Sequence, residues 1–217
     1  MKLSVCVPTL KCYDLLDNFI HSCEKSTIVP DQYVIVDNGF NYVPRAYSEK
    51  IKIIIPENNT PWCVSKCWNY FMKNIEGIKI LANDDIWFHP YTLSKIVEDV
   101  TTRSEDWFSL QKPDGTMLGF SCVIIKDSTY KEVGEFDETF YPAYYEDCDY
   151  LYRMNLLNKK EHHIICDFEH KHSATFKSFN QEEQNRHHTT FTKNQNYYKA
   201  KWGDLSPNER YRTPFNK

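Results

Sequence analysis

The sequence IKILANDDI, residues 78–86, decides the fold prediction. It begins as an apolar run that is too short for a helix of its own and that stops at Asn83-Asp84-Asp85. We interpret the run as a buried strand that brings carboxylates to its carboxyl end, where an open α/β sheet has its binding crevice. Carboxylates on a rigid element suit a hard divalent cation, and such a cation suits a phosphate-bearing ligand. For this stretch alone, a strand followed by an ordinary Asn/Asp turn explains the residues equally well.

Strand and helix patterns alternate in the residues around this stretch. The predicted strands are Leu3–Val7, Tyr33–Val36, Lys52–Ile55 and Ile78–Ala82. The predicted helices are Tyr13–Cys23 with Asp14 as its N-cap, a helix from Thr60-Pro61 to about Asn74, and a helix that begins at His89-Pro90. This alternation predicts β-α-β units and a largely parallel sheet. Pro8-Thr9 and Asp37-Asn38 end two of the strands, and we expect them to converge with residues 83–85 on one crevice.

The sequence lacks the usual phosphate-binding loops. Neither G-x-G-x-x-G nor a Walker A motif occurs, and the chain has only 6 glycines. A dinucleotide-binding fold and a P-loop are therefore not supported, whereas phosphate binding through a metal remains possible.

Composition narrows the class of protein further. The 217 residues fit one large domain or two small ones, and the net charge of −4 argues against a nucleic-acid partner. The 8 cysteines are scattered without a C-x-x-C pair, which favours reduced thiols and an intracellular setting over a zinc framework. No signal peptide and no apolar run of membrane-spanning length is visible. We expect a cytoplasmic protein without a membrane span.

The second half begins with a polar stretch, residues 101–117, to which we assign no element. A strand at Gly119–Ile125 and a short helix at Ser128–Val133, stopped by Gly134, come next. Residues 144–150 then enter a helix whose first turn carries Glu146, Asp147 and Asp149. Acids at this place complement the helix dipole, but Asp147 points to a different face from Asp149 and is available for another role.

Five segments stand in an order that resembles a known family. They are SVCVPTL (4–10), VIVDNG (34–39), LANDDI (81–86), GFSCVIIK…VGEFDETF with YEDCDYLYR (119–153), and FEHKHSATF (168–176). Together they resemble the family-2 inverting glycosyltransferases with the GT-A fold. The resemblance implies an α/β fold in which a mostly parallel central sheet is flanked by helices. It also implies a single domain, 1–217, with a nucleotide-sugar-binding half (1–100) and an acceptor-binding half (101–217) that ends in a helical tail.

The resemblance assigns residues to the donor side. It implies that Asp85, completed by His170 or His172, coordinates Mn²⁺ or Mg²⁺ between the diphosphate oxygens. The other implied nucleotide- or donor-binding residues are Pro8, Thr9, Asp37, Asn38, Trp62, Lys66, Asn83 and Asp84. Asp37 has an equal alternative as a turn-forming residue before Asn38-Gly39. The segment around Pro61-Trp62 departs from the family pattern, which has a glycine there, so Trp62 either stacks on the sugar or packs at the helix start.

On the acceptor side, the resemblance implies that Asp147 is the general base and that Glu146 orients the acceptor or caps the helix. The implied reaction is metal-dependent and inverting, and it moves a sugar from a nucleotide sugar, a UDP-sugar such as UDP-glucose by family habit, to a carbohydrate hydroxyl. The alternatives are a nucleotidyltransferase on a similar scaffold and a catalytically inactive sugar-binding module.

Three further expectations concern the rest of the chain. The pairs His162-His163 and His187-His188 match no motif and are expected on the surface. The tail ends without a hydrophobic anchor, which suits a module of a longer polypeptide. The Asn-, Lys- and Tyr-rich, glycine-poor composition suits a large DNA virus or an AT-rich genome, and for a virus the compartment is the host cytoplasm.

Overall fold

Strands and helices alternate along the chain in the computed structural model, which describes residues 1–171 and 174–217. The first half contains β1 (Leu3–Thr9), α1 (Tyr13–Glu24), β2 (Gln32–Asp37), β3 (Ile51–Ile54), α2 (Val64–Asn74), β4 (Ile78–Ala82), β5 (Ile86–Phe88) and α3 (Thr92–Thr102). The second half contains β6 (Trp107–Gln111), β7 (Cys122–Ile125), α4 (Asp127–Val133), α5 (Glu146–Leu156), β8 (Glu161–Ile165), β9 (Phe168–His170), α6 (Ala174–Lys177) and α7 (Gln181–Trp202).

The central sheet has seven strands in the order β3-β2-β1-β4-β7-β6-β8. Strands β3, β2, β1 and β4 pair in parallel, as do β6 and β8, whereas β7 is antiparallel to both of its neighbours. The predicted mostly parallel sheet flanked by helices is therefore confirmed. A second, two-stranded antiparallel sheet joins β5 to β9 and places Ile86 opposite His170.

Both faces of the central sheet are buried, because the strand side chains alternate between two cores. Leu3, Val5 and Val7 of β1 pack in the core that contains the apolar faces of α1 and α3. Cys6, between them in the sequence, packs in the opposite core with α2, α4 and α5. Strand β4 is buried at every position, which explains why its sequence reads as a continuous run rather than as an alternation.

The C-terminal helix α7 is anchored to α5 through a buried ionic cluster. The Asp149 carboxylate, fully buried, accepts hydrogen bonds from Arg153 Nε at 2.9 Å and from Trp202 Nε1 at 2.8 Å. Lys201 Nζ lies 2.6 Å from Asp149 and 2.7 Å from Asp137. Burial raises the pKa of Asp137, but hydrogen bonds from Lys201 and Thr139 outweigh it and lower that pKa to about 2. Helix α5, which carries Asp147, is thus held in place by α7.

The predicted start of α1 at Tyr13 is correct, but its predicted N-cap and the predicted starts of α2 and α3 were wrong. Helix α1 has Cys12 as its N-cap, and Asp14 lies in the first turn with its carboxylate on Arg45. Helix α2 begins at Val64 after Cys63, whose Sγ accepts the Lys66 amide hydrogen at 3.4 Å. The Thr60-Pro61 signal was misleading because Thr60 has an extended backbone and ends a preceding turn. Helix α3 begins at Thr92 rather than at His89-Pro90, which form a turn before it.

Three strands were not predicted from the sequence. Strand β6 lies in the polar stretch without an assigned element, and β5 and β8 are short or carry polar side chains on one face. His162 and His163, expected on the surface, lie in β8, where His162 contacts Asp99 at 2.9 Å and His163 contacts Ser109 at 2.9 Å. The predicted strand Gly119–Ile125 is a strand only from Cys122, because residues 119–121 form a 3₁₀ turn.

Among the described residues, no helix combines the length and the apolarity needed to cross a membrane. The eight cysteines are all free thiols, and six of them are buried.

Candidate active site

A cavity of about 800 Å³ opens at the carboxyl ends of β1, β2 and β4. The N-terminus of α5 forms one wall, and α6 with the first half of α7 forms the roof. The predicted site residues that line it are Pro8, Thr9, Asn38, Trp62, Asn83, Asp84, Asp85, Glu146, Asp147 and His170. Asp37 and Lys66 are not among the lining residues. The predicted donor side and the predicted acceptor side therefore face one volume.

The floor of the cavity carries two adjacent buried carboxylates after β4. Asp84 accepts a hydrogen bond from the Thr9 hydroxyl at 2.7 Å, which ties the end of β4 to the end of β1. Burial and the neighbouring Asp85 charge raise the pKa of Asp84 to about 7, although the Thr9 hydrogen bond works in the opposite direction. Asp85 turns toward the second sheet, where its Oδ1 lies 3.2 Å from His170 Nε2. A carboxylate just before β5 and an imidazole at the end of β9 are thereby held together.

The opposite wall carries Glu146 and Asp147 in the first turn of α5. Glu146 is 8% exposed, and its Oε2 has no hydrogen-bond partner among the described residues. Burial, with the Asp147 charge as the second cause, raises the pKa of Glu146 to about 8. Glu146 is therefore mostly protonated at neutral pH and is able to donate a hydrogen bond. Asp147 is partly exposed to the cavity, and its Oδ1 accepts the Cys148 amide hydrogen at 2.8 Å.

The backbone just before this wall is strained. Tyr144 and Tyr145 both have positive φ angles, 79° and 72°, which are unfavourable for side chains of this size. Helix α7 holds this conformation, since Asn194 Nδ2 donates to the carbonyl oxygens of Ala143 at 2.8 Å and Tyr144 at 3.2 Å. Gln195 also donates to the Tyr145 hydroxyl at 2.8 Å. Strain of this kind is found where a fold must present side chains in one fixed direction.

Asp37 is fully buried behind the cavity and organises the loop after β2. Its two oxygens accept hydrogen bonds from the Tyr13 hydroxyl at 2.8 Å and from the amides of Gly39 at 3.0 Å and Tyr42 at 2.8 Å. Gly39 approaches Leu10 so closely that a Cβ there would lie 1.9 Å from the Leu10 carbonyl oxygen. This geometry favours the turn-forming alternative for Asp37 over a contact with the nucleotide.

Asn38 and Lys66 both contact Trp62 and hold it in position. Asn38 Oδ1 accepts the Trp62 amide hydrogen at 2.8 Å, and its Nδ2 donates to the Trp62 carbonyl oxygen at 3.2 Å. Lys66 Nζ lies 4.7 Å from the centre of the Trp62 ring, and the Tyr70 ring is 5.5 Å away on the same indole. The indole is held at the cavity edge, partly exposed.

The roof contains residues that sequence reasoning missed. Glu183, Arg186, His187 and Thr190 of α7 all line the cavity, together with Phe176 and Phe179. His187, expected on the surface, packs instead against the rings of Phe176 at 4.7 Å and Tyr144 at 4.9 Å. The four α7 residues have the spacing i, i+3, i+4, i+7 of one helical face, a signal that the sequence did contain.

Two of the predicted metal ligands are close enough to share an ion. No group of three His, Cys, Asp or Glu side chains suited to a metal occurs in the described part of the chain. The pair Asp85 and His170 supplies one oxygen and one nitrogen, a combination that Mn²⁺ accepts. The residues present therefore fit a cation that takes its other ligands from phosphate oxygens and water. His172, the alternative ligand, lies outside the described residues.

Comparison with solved structures identifies the fold. No protein-family model and no curated protein sequence matches this chain. The chain is similar to S. aureus TarS 1–349, at 14% identity and a TM-score of 0.59, over 89% of this chain and 71% of that one. It is also similar to the mannosyltransferase PcManGT from Pyrobaculum calidifontis, at 12% identity and a TM-score of 0.61, over 76% of this chain and 56% of that one. GalNAc-T7 aligns with a TM-score of 0.64 at 10% identity, over 92% of this chain and 50% of that one.

These three proteins have the GT-A glycosyltransferase fold, and the likeness confirms that fold for this chain. The chain spans between half and about seven-tenths of their lengths. The sequence identities of 10–14% show the fold alone. TarS was solved in complex with UDP and with UDP-GlcNAc, the mannosyltransferase with GDP-Man and Mn²⁺, and GalNAc-T7 with UDP, GalNAc and Mn²⁺.

Proposed function

We propose that the protein is a metal-dependent, inverting glycosyltransferase of the family-2 type, which moves a sugar from a nucleotide sugar to a hydroxyl of a carbohydrate. The observation that carries this proposal is the cavity itself. Asp85 with His170 faces it from the sheet edge, and Asp147 faces it from the N-terminus of α5. A direct displacement needs a cation-binding group and a base on opposite sides of the transferred sugar. The placement of these residues on different walls of the cavity is consistent with that requirement.

On the donor side, Asp85 and His170 would hold the divalent cation. When bound, the cation would act as a Lewis acid that neutralises the charge developing on the leaving diphosphate. Thr9 and Asp84 would fix the floor beneath the nucleotide, and Asn38 with Lys66 would hold Trp62 against the donor. Arg186 of the roof would add a positive charge near the phosphates.

On the acceptor side, Asp147 would remove the proton from the attacking hydroxyl. A sugar hydroxyl is a poor nucleophile, and a carboxylate within hydrogen-bond reach accelerates its attack by about 10²- to 10⁴-fold. Glu146, with its raised pKa of about 8, would serve as a hydrogen-bond donor and not as a second base. The two neighbouring acids would thus have different roles, Asp147 as the base and Glu146 as a hydrogen-bond donor, because their environments differ.

We propose a UDP-sugar as the donor. TarS and GalNAc-T7 were both solved with UDP, which supports this choice, whereas the mannosyltransferase was solved with GDP-Man. Mn²⁺ in the last two structures supports a divalent cation.

The test is a transfer assay that compares three variants. Wild type, Asp147→Asn, Asp85→Ala and the control Asp114→Asn, an exposed turn residue, are incubated with Mn²⁺, UDP-sugars and neutral saccharides, and UDP release is measured. We expect Asp147→Asn to bind UDP as wild type does but to lose turnover by about 10²-fold or more, and the control to be unchanged. The anomeric proton of the product, observed by NMR, should show inversion. Full turnover by Asp147→Asn, or a retained configuration, would contradict the mechanism.

A further inference from the structure

The segment that leads into α5 leaves two tyrosine side chains exposed at the cavity. Tyr141 is 46% exposed and Tyr144 is 40% exposed, and both line the cavity. Phe140, just before them, is completely buried. A single exposed tyrosine is common on a protein surface, but two accessible rings on one short segment of a cavity wall form an apolar surface that a ligand is able to contact.

The backbone that carries these two rings is held from both sides. The Pro142 carbonyl oxygen accepts a hydrogen bond from the Val64 amide at 2.9 Å, which fixes the segment to the start of α2. Asn194 of α7 donates to the carbonyl oxygens of Ala143 at 2.8 Å and Tyr144 at 3.2 Å. The rings are therefore carried by an ordered segment, and a ligand that stacks on them does not have to order its backbone first.

Tyr144 has a backbone conformation that is unfavourable for tyrosine. Its φ angle of 79° lies in the region of positive φ that favours glycine. Its ring is fixed by an edge-on contact with His187 at 4.9 Å and by a contact with Phe191 at 5.5 Å, and the side chain still lines the cavity. Backbone strain at a cavity-lining position is typical of a residue whose direction matters for binding.

Tyr141 is not engaged by the rest of the described chain in the way that Tyr144 is. Among the residues that the structure describes, no other aromatic ring stacks on Tyr141 and no hydrogen bond engages its hydroxyl. The exposed part of this ring is therefore accessible to an apolar surface of a ligand in the cavity.

A pyranose ring has a surface of the matching kind. Its hydroxyl groups are polar, but the C–H bonds on its faces are apolar, and such a face packs well on an aromatic ring. An acyclic polyol carries similar hydroxyls but has no rigid apolar face. Stacking on the two tyrosines therefore distinguishes a cyclic sugar from an open chain.

The position of the two tyrosines favours the acceptor over the donor. Tyr144 precedes Asp147, the proposed base, by three residues, so their Cα atoms are at most about 11 Å apart. A sugar that stacks on this segment lies on the same wall as the carboxylate that would remove its proton.

We propose that Tyr141 and Tyr144 form a stacking subsite for the acceptor, and that the acceptor is a pyranoside whose C–H face packs on the Tyr141 ring. This inference rests on the proposed transferase function. It narrows the acceptor from any carbohydrate hydroxyl to a sugar with a six-membered ring, and it makes Tyr141 a determinant of acceptor affinity and not of donor affinity.

The experiment measures the binding of acceptor probes to the protein saturated with UDP and Mn²⁺, by NMR titration. The probes are methyl β-glucopyranoside, methyl β-galactopyranoside and methyl α-mannopyranoside, with sorbitol as the acyclic comparison. Tyr141→Leu removes the ring, whereas Tyr141→Phe keeps the ring and removes only the hydroxyl. Tyr91→Leu is the matched control, because Tyr91 is exposed and is not among the residues that line the cavity. The Kd for UDP-glucose is measured for every variant.

We expect at least one pyranoside to bind wild type and sorbitol to bind about tenfold more weakly. Tyr141→Leu should raise the pyranoside Kd about five- to tenfold, which corresponds to the loss of one aromatic contact. Tyr141→Phe and Tyr91→Leu should bind the pyranoside as wild type does, and the Kd for UDP-glucose should be the same in all four proteins.

Equal affinity of wild type for sorbitol and the pyranosides would overturn the inference, and this comparison does not depend on the folding of a variant. So would the absence of pyranoside binding, or equal pyranoside affinity in wild type and Tyr141→Leu. A larger effect of Tyr141→Leu on UDP-glucose than on the pyranoside would also overturn it, because the ring would then contact the donor sugar. Failure of the proposed function has a different signature, since wild type would then bind no UDP at all.

Discussion

Glu146→Gln should make the ligand-free protein more stable at high pH. The folded protein holds the Glu146 proton up to a pKa of about 8, whereas the unfolded chain releases it near 4.5. Between these values the unfolded state binds fewer protons than the folded state, so the stability of wild type falls as the pH rises. The contribution is fully present below about pH 4.5 and is lost as the pH rises through the folded pKa. Gln mimics the protonated carboxyl and has no proton to lose.

The size of this pH dependence of stability follows from the pKa shift of Glu146. One pKa unit corresponds to about 1.4 kcal/mol, and integration between pH 5 and pH 8 gives a loss of about 3.5 kcal/mol for wild type that Glu146→Gln avoids. Glu146 is only 8% exposed, so solvent screens this effect little. Asp84, whose pKa is raised to about 7, adds a similar dependence to both proteins and cancels in the comparison.

The assay is urea unfolding of both proteins at pH 5 and pH 8, without nucleotide and with EDTA. Glu76→Gln, the same change at an exposed position, is the control and should leave the pH dependence as in wild type. An equal stability difference between Glu146→Gln and wild type at the two pH values would show that the folded protein does not hold the Glu146 proton up to pH 8.

Three further predictions concern the framework of the site. Lys201→Met should reduce the free energy of unfolding by about 3 kcal/mol, because it leaves the buried Asp149 and the partly buried Asp137 without their shared cation, whereas the exposed Lys193→Met should have little effect. Asn69→Ala should cost about 2 to 3 kcal/mol, since Asn69 is buried and bonds both the amide and the carbonyl of Phe136 at 2.8 and 2.9 Å. Gly39→Ala should cost about 2 kcal/mol or more, because its Cβ would overlap the Leu10 carbonyl oxygen. Urea unfolding measures all three, and unchanged midpoints would contradict them.

The sequence predicted the elements whose signal is local. Strands β1, β2 and β4 are buried on both faces and therefore appear as apolar runs. Gly134 ends α4 with a φ angle of 86°, as expected. Strands β5 and β8 gave no such signal. Strand β8 is at the edge of the central sheet, β5 belongs to the separate two-stranded sheet, and each buries only part of its side chains. Tertiary contacts, not local propensity, determine these elements.

The site was partly predictable for the same reason. Asp85 and Asp147 follow recognisable motifs, and both line the cavity. The burial of Asp37 depends on a hydroxyl from Tyr13 and on a loop that folds back over it, neither of which a motif reveals. His187 lies far along the chain from every motif, and only the docking of α7 on α5 brings it to the cavity. The start of α2 was missed because the Cys63 thiol and the Asn38–Trp62 pairing override the Thr60-Pro61 signal.

The central proposal is a cation-assisted diphosphate site at Asp85 and His170. The decisive measurement is the binding of UDP by wild type and Asp85→Ala, with Mn²⁺ and with EDTA, by calorimetry and thermal unfolding, with GDP and dTDP as comparisons. We predict that UDP with Mn²⁺ stabilises wild type, by about 2.7 kcal/mol at a concentration of 100 Kd, and that EDTA or Asp85→Ala removes the effect. If none of the nucleotides binds, or if UDP binds equally well to Asp85→Ala in EDTA, the central claim is contradicted.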